Sequence, residues 1–253
     1  MKKQKKLKWR WLAALEDLLF PPSCVGCGQI LRPFASPVPI FCQECQAKFD
    51  ACRIPDPAWH QDLPVDGIVG PVSLVTYVPQ HMDGMAEGLI YHIKHKNHSP
   101  VFAYVASQLA PHIQATLAHL GMPQQTWLVT YPPRRPAAKR KDGFDQAERL
   151  AHFVAREVEG QKVRLIRRTG KKVKAQKQLN AKERAESAAA SYALTRHAKE
   201  MVSGRVVLLL DDLHTTGATL RSCARLLIEA GAWMVVLVTV GKTEDTHTTK
   251  HPT

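Results

Sequence analysis

From about residue 126 onward, short apolar runs alternate with segments whose apolar positions recur at helical spacing. "TWLVTYPP" reads as a short strand. "QAERLAHFVAREV" then puts Leu150, Phe153, Val154 and Val158 on one side of a helix. "VRLIRRT" reads as a second strand, followed by a polar, basic stretch, "GKKVKAQKQLNAKERAESAAAS", helical in part. "RVVLLLDD" is nearly continuous in apolar residues, as a strand covered on both faces requires. "TLRSCARLLIEAGA" is a helix ending at Gly231, and "WMVVLVTV" a further strand. Strands alternating with helices predict an α/β fold with a parallel sheet.

Upstream, "GIVGPVSLVTYV" is strand material with a hairpin turn expected near Gly70 and Pro71. "MDGMAEGLIYHIKH" and "PVFAYVASQLAPHIQATLAHL" carry helical periodicity, and residues 53–66, rich in Pro and Asp, read as a linker. At the N-terminus Trp11, Leu12, Leu15, Leu18 and Leu19 recur at helical spacing until Pro21 and Pro22 stop the helix. Glu16 and Asp17 interrupt that run and no small-residue cleavage site follows, so the segment predicts a basic amphipathic helix over 1–20 rather than a secretory signal. It is expected to dock on the protein, with membrane-surface contact the less favoured alternative. Residues 243–253 lack apolar content and read as a flexible tail.

Composition adds little except charge. The 253 residues are 45% hydrophobic and 23% charged, an ordinary globular balance. No stretch approaches the roughly eighteen consecutive apolar residues of a membrane span, and a cytoplasmic location is expected. The net charge of +13 concentrates at Lys2–Arg10, Arg134–Lys141 and Arg164–Lys177. Three such clusters suit a polyanionic partner such as nucleic acid.

Two C-x-x-C pairs, Cys24 with Cys27 and Cys42 with Cys45, are separated by fourteen residues. Four thiolates at that spacing can surround one tetrahedral zinc, and all four positions filled by protein make it structural. Gly26 and Gly28 suit the turn that brings backbone amides to the sulfurs. Cys52 lies outside the pattern and Cys223 reads as core. His92, His95 and His98 recur every three residues without an accompanying carboxylate and read as surface.

The densest chemistry is "LLLDDLHTTGATL" at 208–220. Asp211 and Asp212 fall where a strand gives way to a helix, the place where open α/β sheets bind ligands. A helix N-terminus offers unpaired N–H groups and partial positive charge to a phosphate. Thr215, Thr216 and Thr219 add hydroxyls, and Gly217 permits close backbone approach and tolerates positive φ. Carboxylates repel phosphate but accept from vicinal hydroxyls or hold magnesium partly through water. Phosphate beside hydroxyls describes a ribose 5-phosphate. Helix capping alone would need one such residue, not two acids and three threonines.

"VVLLLDDLHTTGATL" resembles the phosphoribosyl-pyrophosphate signature of type I phosphoribosyltransferases. With the cysteine pairs upstream, the chain is similar to the ComF family of competence-associated proteins, in which a zinc ribbon precedes such a domain. "DGFDQAERLA" and "QKQLNAKER" resemble two further motifs of that family. The resemblance implies a zinc-ribbon module over 21–55 and a parallel-sheet, phosphoribosyltransferase-like domain over 66–242. It implies phosphoribosyl pyrophosphate bound with magnesium at Asp211, Asp212, Thr215, Thr216, Gly217, Ala218 and Thr219. It also implies a role in natural transformation, bringing single-stranded DNA into the cytoplasm with helicase or recombination partners.

The chain departs from the family pattern at Asp142, where the family has arginine, at Asp145, where it has asparagine, and at Ser187. Lys94 is kept, but a Gly-Asp that follows it in the family is not, and His214 fills a slot usually apolar or aromatic. Asp142 and Asp145 are expected to put negative charge beside the loop that meets pyrophosphate.

Contacts to pyrophosphate or DNA phosphates are expected from Arg134, Arg135, Lys139, Arg140, Arg167, Arg168, Lys171 and Lys172. Only Tyr131 and Phe144 stand among them as stacking partners, so base recognition is expected to be weak. Three functions are open at this point: single-strand handling, phosphoribosyl transfer to an acceptor, and non-catalytic sensing of ribose phosphate. No general base can be named from the residues.

Overall fold

The computed structural model describes residues 21–31, 39–54, 66–77, 85–122, 127–170 and 190–243. The expected N-terminal helix, most of the linker, Lys171, Lys172, Ser187 and the tail from 244 lie outside the described residues. The described elements are α1 (Gln43–Cys52), β1 (Ile68–Tyr77), α2 (Met85–His95), α3 (Ser99–His119), β2 (Leu128–Thr130), α4 (Pro136–Asp142) and α5 (Gln146–Glu157). They continue as β3 (Gln161–Lys162), β4 (Ile166–Arg168), β5 (Tyr192–Leu194), α6 (Ala198–Val202), β6 (Val206–His214), α7 (Ala218–Glu229) and β7 (Met234–Thr243).

Five strands form one parallel sheet in the order β1-β7-β6-β2-β3. Side chains on a strand alternate between its faces, and β6 shows the consequence. Val206, Leu208 and Leu210 enter one core with α3 and α5, whereas Val207 and Leu209 enter a second core with α6 and α7. That double burial is why the run from Val206 to Leu210 has no polar position.

The chain runs from β2 outward to β3, and later fills the other side of β2 with β6 and β7. The order therefore reverses between β2 and β6, and their carboxyl ends flank the crevice where such sheets bind ligands.

Three elements differ from the sequence reading. The hairpin expected at Gly70–Pro71 is absent: β1 continues through it with a register shift between Val69 and Val72. Gly70 has φ +99°, and a Cβ there would lie 2.8 Å from the Leu237 carbonyl oxygen, so the strand bulges rather than turns. Residues 166–168 pair antiparallel with β5 in a separate two-stranded sheet, leaving only Gln161–Lys162 beside β2. Finally, β6 does not end at the acid pair, because Leu213 and His214 still pair with Gly241 and Lys242 of an extended β7.

The cysteine module is continuous with the main core. Ile54 N–H donates to the Leu74 carbonyl of β1, and Arg53 bridges to Val75. Phe41 and Phe49 pack edge-on to Tyr104 of α3, with ring centroids 5.7 Å apart in each case. Among the described residues no helix is long and apolar enough to cross a membrane.

Candidate functional site

The loop from Asp211 to Thr219 leaves the sheet at this crevice. Gly217 is the N-cap of α7 with φ +67°, in the left-handed region that favours glycine. A Cβ on it would stand 2.5 Å from Nε2 of His214, whose ring packs directly against the glycine. That contact gives the unusual His214 a structural place beneath the loop. The N-cap Gly217 offers no side-chain cap, and the Ala218 N–H donates only a long bond, 3.5 Å, to Thr216 Oγ1. The first-turn amides of α7 are therefore available to an anion. Thr215 and Thr216 are exposed, and Thr219 is half-buried.

Asp212 is buried, and its Oδ2 lies 3.9 Å from Lys94 Nζ and accepts from Gln146 Nε2 at 3.4 Å. Asp211 accepts the Asp212 N–H at 2.9 Å through Oδ1. Desolvation, then the neighbouring Asp212 charge, pushes the Asp211 carboxyl well above the ordinary carboxylate range. That direction favours a protonated Asp211 beside Asp212, whose Oδ2 accepts a hydrogen bond. A protonated acid donates and an ionised one accepts, a combination that suits vicinal hydroxyls. Cys223, fully buried on α7, has its thiol pushed up by burial and by Asp211.

The segment after β2 and the antiparallel β4–β5 pair meet through Arg168. Arg168 donates through Nε to the Pro133 carbonyl at 2.9 Å and through Nη2 to the Tyr192 hydroxyl at 2.7 Å. Its guanidinium also lies 4.7 Å over the Tyr192 ring. Burial pushes the Tyr192 phenol up to about 12. Arg168 is thus engaged within the protein, whereas Arg167 is exposed and donates through Nε to the Leu194 carbonyl at 3.2 Å.

The two aspartates that depart from the family pattern are also engaged. Asp145 caps α5, accepting Glu148 N–H at 3.3 Å, and accepts Arg134 N–H at 2.8 Å. Asp142 faces Arg134 Nη2 at 2.6 Å and His95 Nδ1 at 3.3 Å. Neither carboxylate stands as free negative charge toward the crevice, which corrects that expectation, and Arg134 is correspondingly occupied. Arg134 Nη1 further donates to the Lys94 carbonyl at 3.4 Å, at the carboxyl end of α2. Arg135, Lys139 and Arg140 are exposed, though Lys139 meets Glu148 at 3.1 Å. Tyr131 and Phe144 are buried and cannot stack with bases, a further correction.

Sequence reasoning missed Lys94, His95 and Gln146 as neighbours of the acids, because their contacts cross from other elements. The capping role of Asp145 did have a signal: Asp145 and Glu148 stand at capping-box spacing before an apolar run.

The four sulfurs of Cys24, Cys27, Cys42 and Cys45 lie within 4.8 Å of one another. Cys27 and Cys42 sulfurs are 3.8 Å apart. A tetrahedral zinc with Zn–S bonds of ~2.3 Å sets its sulfurs about 3.8 Å apart, so the set fits that ion. The Cys42 N–H points at Cys24 Sγ at 3.3 Å. Burial alone would raise the Cys24 thiol, but amides of Cys27, Cys42 and Gly26 outweigh it and bring it down to about 7. Burial and the neighbouring thiols push Cys45 up. The first pair sits in a Gly28 turn, and the second opens α1.

A family model described as "Phosphoribosyl transferase domain" matches residues 145–252. Together with the mostly parallel sheet, it shows a fold of the phosphoribosyltransferase type preceded by a small four-cysteine module. A search among curated proteins found no match. Among solved structures, the allosteric regulatory enzyme of purine biosynthesis is similar at 15% identity and a TM-score of 0.35, over 59% of this chain. The chain spans only 30% of that enzyme's length. A hypoxanthine phosphoribosyltransferase from Staphylococcus aureus is similar at 12% identity and 0.35, covering 63% of this chain and 77% of that one. The protein TT1426 from Thermus thermophilus is similar at 17% and 0.33, covering 57% and 84%.

Proposed function

We propose that the 211–219 loop binds a ribose 5-phosphate, with phosphoribosyl pyrophosphate as the preferred ligand, and that the protein uses this site while handling single-stranded DNA. The observation that carries the first part is Gly217: a left-handed glycine, closed against His214, is the N-cap of α7 and caps it with no side chain of its own. The phosphate sits on the Gly217, Ala218 and Thr219 amides with Thr215 and Thr216 hydroxyls, and Asp211 and Asp212 take the ribose hydroxyls. Asp212, with water between, also fits magnesium carried by the pyrophosphate, which would offset that group's charge. Arg135, exposed in the segment after β2, is the expected cation to meet it.

The DNA part rests on the resemblance to the ComF family and on the exposed cations of α4 and Arg167. Buried Tyr131 and Phe144 leave the recognition to phosphates. Helicase or recombination proteins are the partners, and the cytoplasm the location, that this reading carries. Phosphoribosyl transfer to an acceptor is the alternative reading.

Two assays separate these readings. Pyrophosphate release from phosphoribosyl pyrophosphate, across a panel of nucleobases, is expected to stay at background; steady release assigns an enzyme instead. Deleting the gene is expected to lower DNA-uptake frequency, with full rescue by the wild-type chain and incomplete rescue by Asp211→Asn/Asp212→Asn. Unchanged uptake after deletion sinks the DNA role.

A further inference from the structure

Of the cations that the sequence groups as one phosphate-contacting set, Arg168 and the Lys139–Arg140 pair lie in different surroundings. Arg168 lies on Tyr192 and is held by the Tyr192 hydroxyl and the Pro133 carbonyl. Lys139 and Arg140 instead line a separate cleft of about 430 Å³ over the carboxyl ends of β2 and β3. Its walls are the segment after β2, α4, the first turn of α5 and Arg164, and they include none of residues 211–219.

The charges lining this cleft can be followed one at a time. Asp145 is spent on two backbone N–H groups. Glu148 meets Lys139 at 3.1 Å and Lys162 at 3.6 Å. Arg134 is closed on Asp142. Arg140 and Arg164 are left, exposed and with no side-chain hydrogen bond or ion pair to any described residue. Asp145 is held by backbone N–H groups and Glu148 by two lysines, and the two remaining guanidiniums come from different segments of the chain.

We propose that this cleft is a second anion site, which binds a phosphate group between Arg140 and Arg164, apart from the ribose-phosphate loop. Guanidinium groups present paired donors that match phosphate oxygens, and a dianion offsets two unmatched cations. The same chemistry is carried by the phosphate of a free nucleotide and by the 5′-phosphate of a single strand.

Calorimetry on the full chain with pyrophosphate as the probe tests it. The Gly217→Val variant, whose loop is blocked, is expected to keep one pyrophosphate site. Adding Arg140→Gln and Arg164→Gln to it is expected to weaken that site about tenfold or more. The two arginine changes alone are expected to leave ribose 5-phosphate binding within about twofold. Both positions are exposed, and circular dichroism checks that the fold survives. Loss of all pyrophosphate binding in Gly217→Val, or full retention without the two arginines, overturns the second site. Absence of ribose 5-phosphate binding beside intact pyrophosphate binding overturns the loop reading and leaves the cleft standing. To separate the sources, an oligothymidylate with a 5′-phosphate and one with a 5′-hydroxyl compete against pyrophosphate in Gly217→Val, alongside adenosine 5′-monophosphate. Displacement only by the phosphorylated strand supports the cleft with a strand end as donor. Displacement only by the mononucleotide supports it with a free nucleotide.

Discussion

Arg134 and Asp142 meet at 2.6 Å, and both side chains are largely covered, at 15% and 10% exposure. The residue that most departs from the family pattern thus has a partner of its own. Burial alone would raise the Asp142 carboxyl, but the His95 ring and the Arg134 guanidinium outweigh it and hold it below its ordinary 3.8. A depressed folded value contributes stability above the ordinary one, lost as pH falls through the folded value.

Asp142→Asn is therefore expected to lower the urea midpoint near neutral pH. The gap to wild type should close as pH falls below about 4. A gap that stays constant over that range contradicts the ion pair.

Asp211 has the opposite sign. Its raised folded value means the native state keeps a proton that the unfolded chain gives up above 3.8, so stability falls as pH rises. Asp211→Asn removes that cost and should raise the urea midpoint at neutral pH, with the advantage vanishing below about pH 4. A variant less stable than wild type at neutral pH rules out a proton held on Asp211.

Much of this fold was legible in the sequence because its signals are local. The run Val206–Leu210 announces a doubly covered strand, and Leu150 and Val154 announce the buried side of α5. The cysteine pairs and the Gly217 loop are contiguous motifs. The β4–β5 pairing was not legible, since Ile166 and Leu194 meet across a long segment with no periodic signal. Helix α4 was hidden for another reason: it buries no residue, so it has no apolar stripe, although Pro136 at its start and Gly143 at its end mark its limits. The contacts of Lys94 and His95 depend on how α2 crosses the crevice, which spacing along the chain does not encode.

Zinc should copurify at about one equivalent per chain, held by four protein ligands. Because Cys24, Cys45 and Phe49 belong to the same core as β1 and α3, Cys42→Ser should loosen the module and lower the thermal midpoint of the whole chain. Elemental analysis showing only a small fraction of an equivalent contradicts the assignment.

Arg167 and Arg168 should separate cleanly. Arg167→Ala should weaken single-stranded DNA binding alike across sequences and reduce the magnitude of the salt slope by about 0.7. Arg168→Ala should act on the fold, because it strands the Tyr192 hydroxyl and the Pro133 carbonyl, and lower the urea midpoint. An Arg168→Ala protein of wild-type stability that has lost DNA affinity reverses these roles.

The central claim is that the 211–219 loop holds a ribose 5-phosphate. Calorimetry with phosphoribosyl pyrophosphate and magnesium, run on wild type and Gly217→Val, tests it most directly. The valine meets both a positive φ and the His214 ring, a strain of about 1–3 kcal/mol that stays local to the loop. With the Arg140–Arg164 cleft removed from both proteins by Arg140→Gln and Arg164→Gln, the account predicts one site per chain with Gly217 and no measurable binding by the valine variant, which still unfolds cooperatively. A wild-type protein giving neither heat nor thermal shift at about millimolar ligand contradicts it.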